Sequence, residues 1–120
     1  MTDLLRECDY GAYEGRTTGE ILAERPEWDV FRDGCPGGER PAQVAERMLE
    51  LLHRMEPVRG DVLLFGHGHA LRALAVCCLG TPLSFAGLLR LDAGTLSILG
   101  HERDHRAITL WNEAATSRDP

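Results

Sequence analysis

Residues 61–78 read D-V-L-L-F-G-H-G-H-A-L-R-A-L-A-V-C-C, and this run alone leaves few folds open to the chain. Its first five residues are apolar almost throughout, which predicts a strand over 61–65 covered on both faces, as in a parallel sheet. From about Ala70 to Leu79 the apolar residues keep a helical rhythm, stopped by Gly80 and Pro82. A buried strand passing through two glycines into a helix is a βα unit. In open α/β sheets, small ligands collect beyond the carboxyl ends of the strands. Gly66, His67, Gly68 and His69 occupy that place.

The remaining segments fit one layered domain. Residues 41–56 carry Val44, Met48, Leu51, Leu52 and Met55 at the spacing of one helical face, with Pro41 suited to the first turn. Thr17 or Thr18 can cap a short helix, G-E-I-L-A-E-R, that Pro26 helps to end. Residues 1–16 read as a loop around D-Y-G-A-Y-E-G-R, and residues 27–41 as a turn-rich surface loop. Residues 87–111 read as strands joined by the turns D-A-G and H-E-R-D-H. Helix, buried strand, helix and then strands make an α/β fold, a single domain over 1–120, since 120 residues support one core and not two.

Charge and composition narrow the function classes. A net charge of −6 disfavours a nucleic-acid surface, which needs a basic face, while leaving room for a local positive pocket. No apolar run approaches a membrane span, and M-T-D-L-L-R-E-C-D-Y lacks a basic segment followed by an apolar one, so a cytoplasmic protein is expected. Cys8, Cys35, Cys77 and Cys78 form no C-x-x-C pair and read as reduced, mostly buried thiols.

The helix after His67 offers unpaired N–H groups and the positive end of its dipole, both favourable to an anion. A histidine at such a corner can donate a hydrogen bond and, when protonated, a charge to a phosphoryl oxygen. The plainer alternative is that His67 and His69 satisfy loop carbonyls. Two histidines and two glycines together at a strand end favour the functional reading, because polar residues on such loops are disproportionately functional. A metal site built on H-x-H would need further ligands, and no H-E-x-x-H or cysteine pair lies nearby, so it ranks below anion binding. Glu7 is by composition one acid among several, with Asp9, Glu14 and Glu39 equal candidates. Arg16, Arg32 and Arg72 could bind phosphate, although a surface charge or an ion pair is the commoner role.

In chain order, L-R-E-C-D-Y-G-A-Y-E-G-R-T-T-G-E-I, W-D-V-F-R-D-G-C-P-G-G-E-R-P, V-L-L-F-G-H-G-H-A-L-R-A-L-A, L-R-L-D-A-G-T-L-S-I-L-G and L-W-N resemble the middle and later part of the histidine phosphatase superfamily. This is the superfamily of cofactor-dependent phosphoglycerate mutase. R-D-G-C-P-G-G-E with F-G-H-G-H-A-L-R looks closest to its bacterial acid phosphatases and its sugar-bisphosphatase branch. The resemblance implies a three-layer α/β/α sandwich and hydrolysis of a small phosphorylated metabolite through a phosphohistidine, with no metal and no cofactor. By the same resemblance His67 matches the family's second histidine, which stabilises charge on the transferring phosphoryl group. Glu7 matches the acid that protonates the leaving oxygen; a carboxyl beside a phosphate dianion keeps its proton because like charge disfavours ionisation. Tyr10, Gly68 and His69 match substrate-contacting positions. Where mutases carry a lysine shortly after the acid, this chain has Thr18 and its neighbours, with Arg16 the nearest base.

The family nucleophile stands in an R-H-G motif and a further phosphate-binding arginine in S-x-x-x-R-A-x-x-T-A; the 120 residues contain neither. Met1 falls just upstream of the acid-bearing loop, so the chain is expected to be the later part of an N-terminally truncated phosphatase domain, inactive alone. Phosphoglycerate mutase-type transfer and a non-catalytic phospho-ligand binder are the alternatives, and a metal-dependent hydrolase using His67 and His69 is the remotest. The expected partner is a small phosphorylated substrate, with no nucleic acid and no membrane. The family strand that the sequence lacks lies beside 61–65, so an exposed sheet edge that invites self-association is expected.

Overall fold

A computed structural model of the protein describes residues 2–115. Each helix begins where a side chain or proline satisfies its first turn. Thr17 Oγ1 accepts the Glu20 N–H at 3.1 Å and starts α1, Thr18–Glu24. Asp29 Oδ1 accepts the N–H groups of Phe31 and Arg32 at 2.8 and 3.3 Å and starts a one-turn helix, α2, Val30–Asp33. The turn-rich surface loop expected over 27–41 therefore contains a helical turn, and its apolar Phe31 is buried. Helix α3, Pro41–Met55, has Pro41 in its first turn and the Arg40 N–H on Gln43 Oε1 at 2.8 Å.

Helix α4, Gly68–Cys78, starts two residues earlier than the apolar rhythm predicts, so Gly68 and His69 belong to its first turn. It closes on Gly80, at φ +72°, with Gly80 N–H on Cys77 O and Thr81 N–H on Val76 O, both 3.0 Å. Helices α3 and α4 pack together. Their core contains the fully buried Met48, Ala70 and Ala73, with Val44, Leu51, Leu74 and Val76 around them.

Residues 61–67 correct the sequence expectation. They form no strand, and Val62, Leu63 and Phe65 are 44%, 71% and 83% exposed, while Leu64 packs on the core. Only Leu64 of 61–65 turns toward the core, and a strand draws its backbone bonds from a neighbour. Among the described residues none lies beside this one, because the two strands present pair with each other. What was expected as a sheet edge is thus an isolated apolar segment.

Those two strands are β1, Thr95–Glu102, and β2, His105–Ala114, an antiparallel hairpin. Arg103 and Asp104 make a two-residue turn, with Arg103 at φ +56°. Two register shifts account for the longer β2, and Asn112, at φ +58°, lies in one of them. Its side chain accepts the Asp92 N–H at 2.8 Å and tethers residues 90–92 to the hairpin. Those residues are not a strand, and Leu83–Leu88 is a 3₁₀ helix, so the D-A-G turn leads into β1 instead of joining two strands. No helix among the described residues is long and apolar enough to cross a membrane. All four cysteines are free, Cys8 and Cys77 buried.

Candidate active site at the start of α4

His67 is the N-cap of α4, but its exposed side chain makes no capping bond, so the first-turn N–H groups need another acceptor. Glu7 supplies it. Its Oε1 accepts the Ala70 N–H at 2.9 Å and the Cys8 N–H at 3.0 Å, and its Oε2 accepts the His69 N–H at 3.2 Å. A carboxylate here also complements the helix dipole. Glu7, Gly68 and His69 therefore converge with the backbone of His67 on one helix end.

Tyr10 joins them by a short hydrogen bond between its hydroxyl and His69 Nδ1. Burial, reinforced by the nearby Glu7 charge, pushes the Tyr10 phenol upward and keeps it protonated. Burial and the Arg72 cation push the His69 imidazole below its ordinary value, against the pull of Glu7 and Asp29. One proton is shared between the Tyr10 oxygen and His69 Nδ1, which leaves Nε2 as the ring nitrogen that Tyr10 does not engage. Phe31 meets His69 edge-on at 5.5 Å, and the Arg72 guanidinium lies 5.1 Å from the Phe31 centroid. The one-turn helix that the sequence reading passed over thus supplies a wall of the site.

The acid-bearing loop is held by a second loop. Ala12 N–H donates to Pro36 O at 2.8 Å and Glu39 N–H to Asp9 O at 2.9 Å. A Cβ on Gly11 would lie 2.3 Å from Gly38 N, and one on Gly38 2.5 Å from Asp9 O, so this approach of two backbones needs glycine on both sides.

The other candidates have separate employment. Arg16 pairs with Glu24 and Arg32 with Asp33, each at 2.9 Å. Arg72 donates to Gly68 O at 3.2 Å and Leu89 O at 3.0 Å. Asp9 Oδ1 accepts the Gly11 N–H at 2.9 Å, and Glu39 pairs with Arg47. Arg47 is the residue that sequence reasoning missed. Its signal was a charge at the i+3 position from Val44, on the apolar face of α3. An open hollow rimmed by Asp9, Glu39, Glu46 and Glu50 includes neither Glu7 nor His67. Among the described residues no group of three or more His, Cys, Asp or Glu is gathered as for a metal.

Residues 1–114 match the profile of the histidine phosphatase superfamily (branch 1). The chain belongs to that superfamily. It is 36% identical over 115 residues to an acid phosphatase of Mycobacterium tuberculosis, covering 92% of this chain and 55% of the relative. It is 40% identical over 98 residues to sedoheptulose 1,7-bisphosphatase of Saccharomyces cerevisiae, covering 67% of this chain and 36% of that one. The solved structure of a Mycobacterium tuberculosis open reading frame product superposes with a TM-score of 0.90 at 35% identity, over 94% of this chain and 60% of the other. A mycobacterial glucosyl-3-phosphoglycerate phosphatase gives 0.75 at 25% identity, over 95% and 65%. The fold is accordingly the α/β fold of the superfamily. The chain spans about half the length of the acid phosphatase and about a third of the bisphosphatase.

Proposed function

We propose that this chain carries the acid-bearing and phosphoryl-binding part of a phosphomonoesterase that acts on a small phosphorylated metabolite. One observation carries the reading: Glu7, 60 residues before His67, holds its carboxylate on the N–H groups of His69 and Ala70, at the helix end that His67 caps. The first-turn N–H groups expected to be open to an anion are thus taken at His69 and Ala70 by Glu7, so a phosphoryl group would sit beside them and meet His67, whose exposed imidazole is free to donate to its oxygens. Glu7 would stand beside the leaving oxygen and, once it has taken up a proton in exchange for one of those N–H bonds, would hand that proton to it. Tyr10, Gly68 and His69 would contact the rest of the substrate, with His69 presenting Nε2 because Tyr10 occupies Nδ1. The phosphatase names of the acid phosphatase and bisphosphatase relatives support hydrolysis over transfer. Transfer keeps some support from a 30% identical probable phosphoglycerate mutase of Erwinia tasmaniensis.

The attacking histidine of an R-H-G motif is not among the 120 residues. They are therefore expected to bind a phosphoryl analogue without turning over a phosphomonoester, which is also how a non-catalytic phospho-ligand binder would behave. Calorimetry with orthovanadate tests the site: binding that weakens in His67→Ala supports it, and no heat at millimolar vanadate overturns it. Reading the coding DNA upstream of Met1 separates the two remaining readings. An in-frame R-H-G favours the esterase, and a stop codon close upstream favours the binder.

A further inference from the structure

Arg47 lies in the middle of α3 and is 6% exposed, although it stands among the charged residues that line the open hollow. Its guanidinium makes four hydrogen bonds. Nε and Nη2 donate to the two oxygens of Glu39 at 2.6 and 3.0 Å, and Nη1 donates to the carbonyls of Leu4 and Arg6 at 2.7 and 2.8 Å. Glu39 in turn accepts the Asp9 N–H on Oε1 at 3.1 Å and donates its own N–H to Asp9 O at 2.9 Å. The chain is thus fixed at Arg6 and again at Asp9, and Glu7 lies in the short bridge between.

We propose that Arg47, through its ion pair with Glu39, is the positioning residue for Glu7: it fixes both ends of the bridge so that the Glu7 carboxylate reaches the start of α4. The role of Glu7 as acid rests on the function proposed above; the clamp itself does not. Taking an arginine and a glutamate out of water costs much of what their attraction returns, so a buried pair is a poor device for stability alone. Geometry is what this one supplies. Only a planar fork can hold a carboxylate with two of its nitrogens and two carbonyls with the third. A lysine at 47 would keep the charge and serve one set of acceptors at a time.

The test is amide hydrogen exchange, followed by NMR on the 120-residue chain, in Arg47→Lys and Glu39→Gln, with Glu7→Ala as the reference for a lost carboxylate. In both clamp variants the His69 and Ala70 amides are expected to exchange about fivefold faster, approaching Glu7→Ala, while Leu74 and Val76 deeper in α4 keep their rates. Unchanged His69 and Ala70 rates would overturn the proposal. So would equal acceleration along the whole of α4, which is what a purely structural role produces. Should Arg47→Lys fail to fold, Glu39→Gln preserves the side-chain shape and carries the test. Orthovanadate titration of the same proteins separates this proposal from the function. Absent vanadate binding in the wild type with the local exchange effect intact overturns the site and leaves the clamp. Vanadate binding with no exchange effect in either variant overturns the clamp and leaves the site.

Discussion

The Glu7 carboxylate accepts the backbone N–H of Ala70 at 2.9 Å across 63 residues of sequence. This bond makes the first turn of α4 depend on a loop distant in sequence, and it brings an acid to a helix end whose own cap, His67, makes no side-chain capping bond.

Replacing His67 by alanine should therefore separate binding from stability. The exposed side chain makes no capping bond, so thermal stability should change by no more than about 0.5 kcal/mol. Vanadate affinity should fall by about tenfold or more, ~1.4 kcal/mol. Calorimetry and a thermal melt on one preparation check both, and a large loss of stability with unchanged affinity would contradict the placement.

The pH dependence of stability should carry a signature of His69. Its folded value lies below the ordinary 6.5 because burial and Arg72 penalise the imidazolium. Between the two values the unfolded chain binds more protons, so this contribution is complete above pH 6.5 and is lost as pH falls through the folded value. Asp33, held down to about 2 by its bonds to Arg32 and the Asp29 N–H, acts only in far more acidic solution. Urea unfolding from neutral to mildly acidic pH should show a decline that is smaller in His69→Gln; equal slopes would count against the buried, neutral imidazole.

Met48 is wholly enclosed between α3 and α4. Met48→Ala should cost about 2–5 kcal/mol, the transfer term plus a cavity, as read by denaturant unfolding. A loss well under 1 kcal/mol would mean that the two helices collapse onto the vacated space.

The segment 61–65 presents Leu63 and Phe65 to solvent, and among the described residues no strand lies beside it. An antiparallel pairing of this segment with the same segment of a second copy is self-complementary, and residues 62–65 carry no charge to oppose it. Sedimentation velocity should show concentration-dependent association of the wild type and a monomer for Leu63→Lys/Phe65→Lys. A wild type that stays monomeric at high concentration contradicts the expectation.

The helices were legible because their signals are local. The face of Val44, Met48 and Leu51 defines α3, and Gly80 and Pro82 mark the end of α4. The apolar character of 61–65 was legible too, but its strand was not, since a ladder is a property of two segments and the described residues contain only one. Helix α2 was hidden by surrounding glycines and prolines, although Asp29 placed two residues before the apolar Phe31 was its capping signal. At the site, H-x-H was visible as a pattern, whereas the choice of Glu7 over Asp9, Glu14 and Glu39 came from family likeness and not from its own neighbours. The contacts that set Glu7 apart reach residues 69 and 70, beyond any sequence window. Arg47 is hidden in the sequence because the apolar period of α3 is carried by Val44, Met48 and Leu51, and a charge standing among them adds nothing to it.

The glycine-to-glycine contact between residues 11 and 38 makes the segments around them a single cassette. An insertion in either would pry the two backbones apart and shift the acid with them. Transplanting these loops would mean moving both together, with their lengths matched, or leaving both alone.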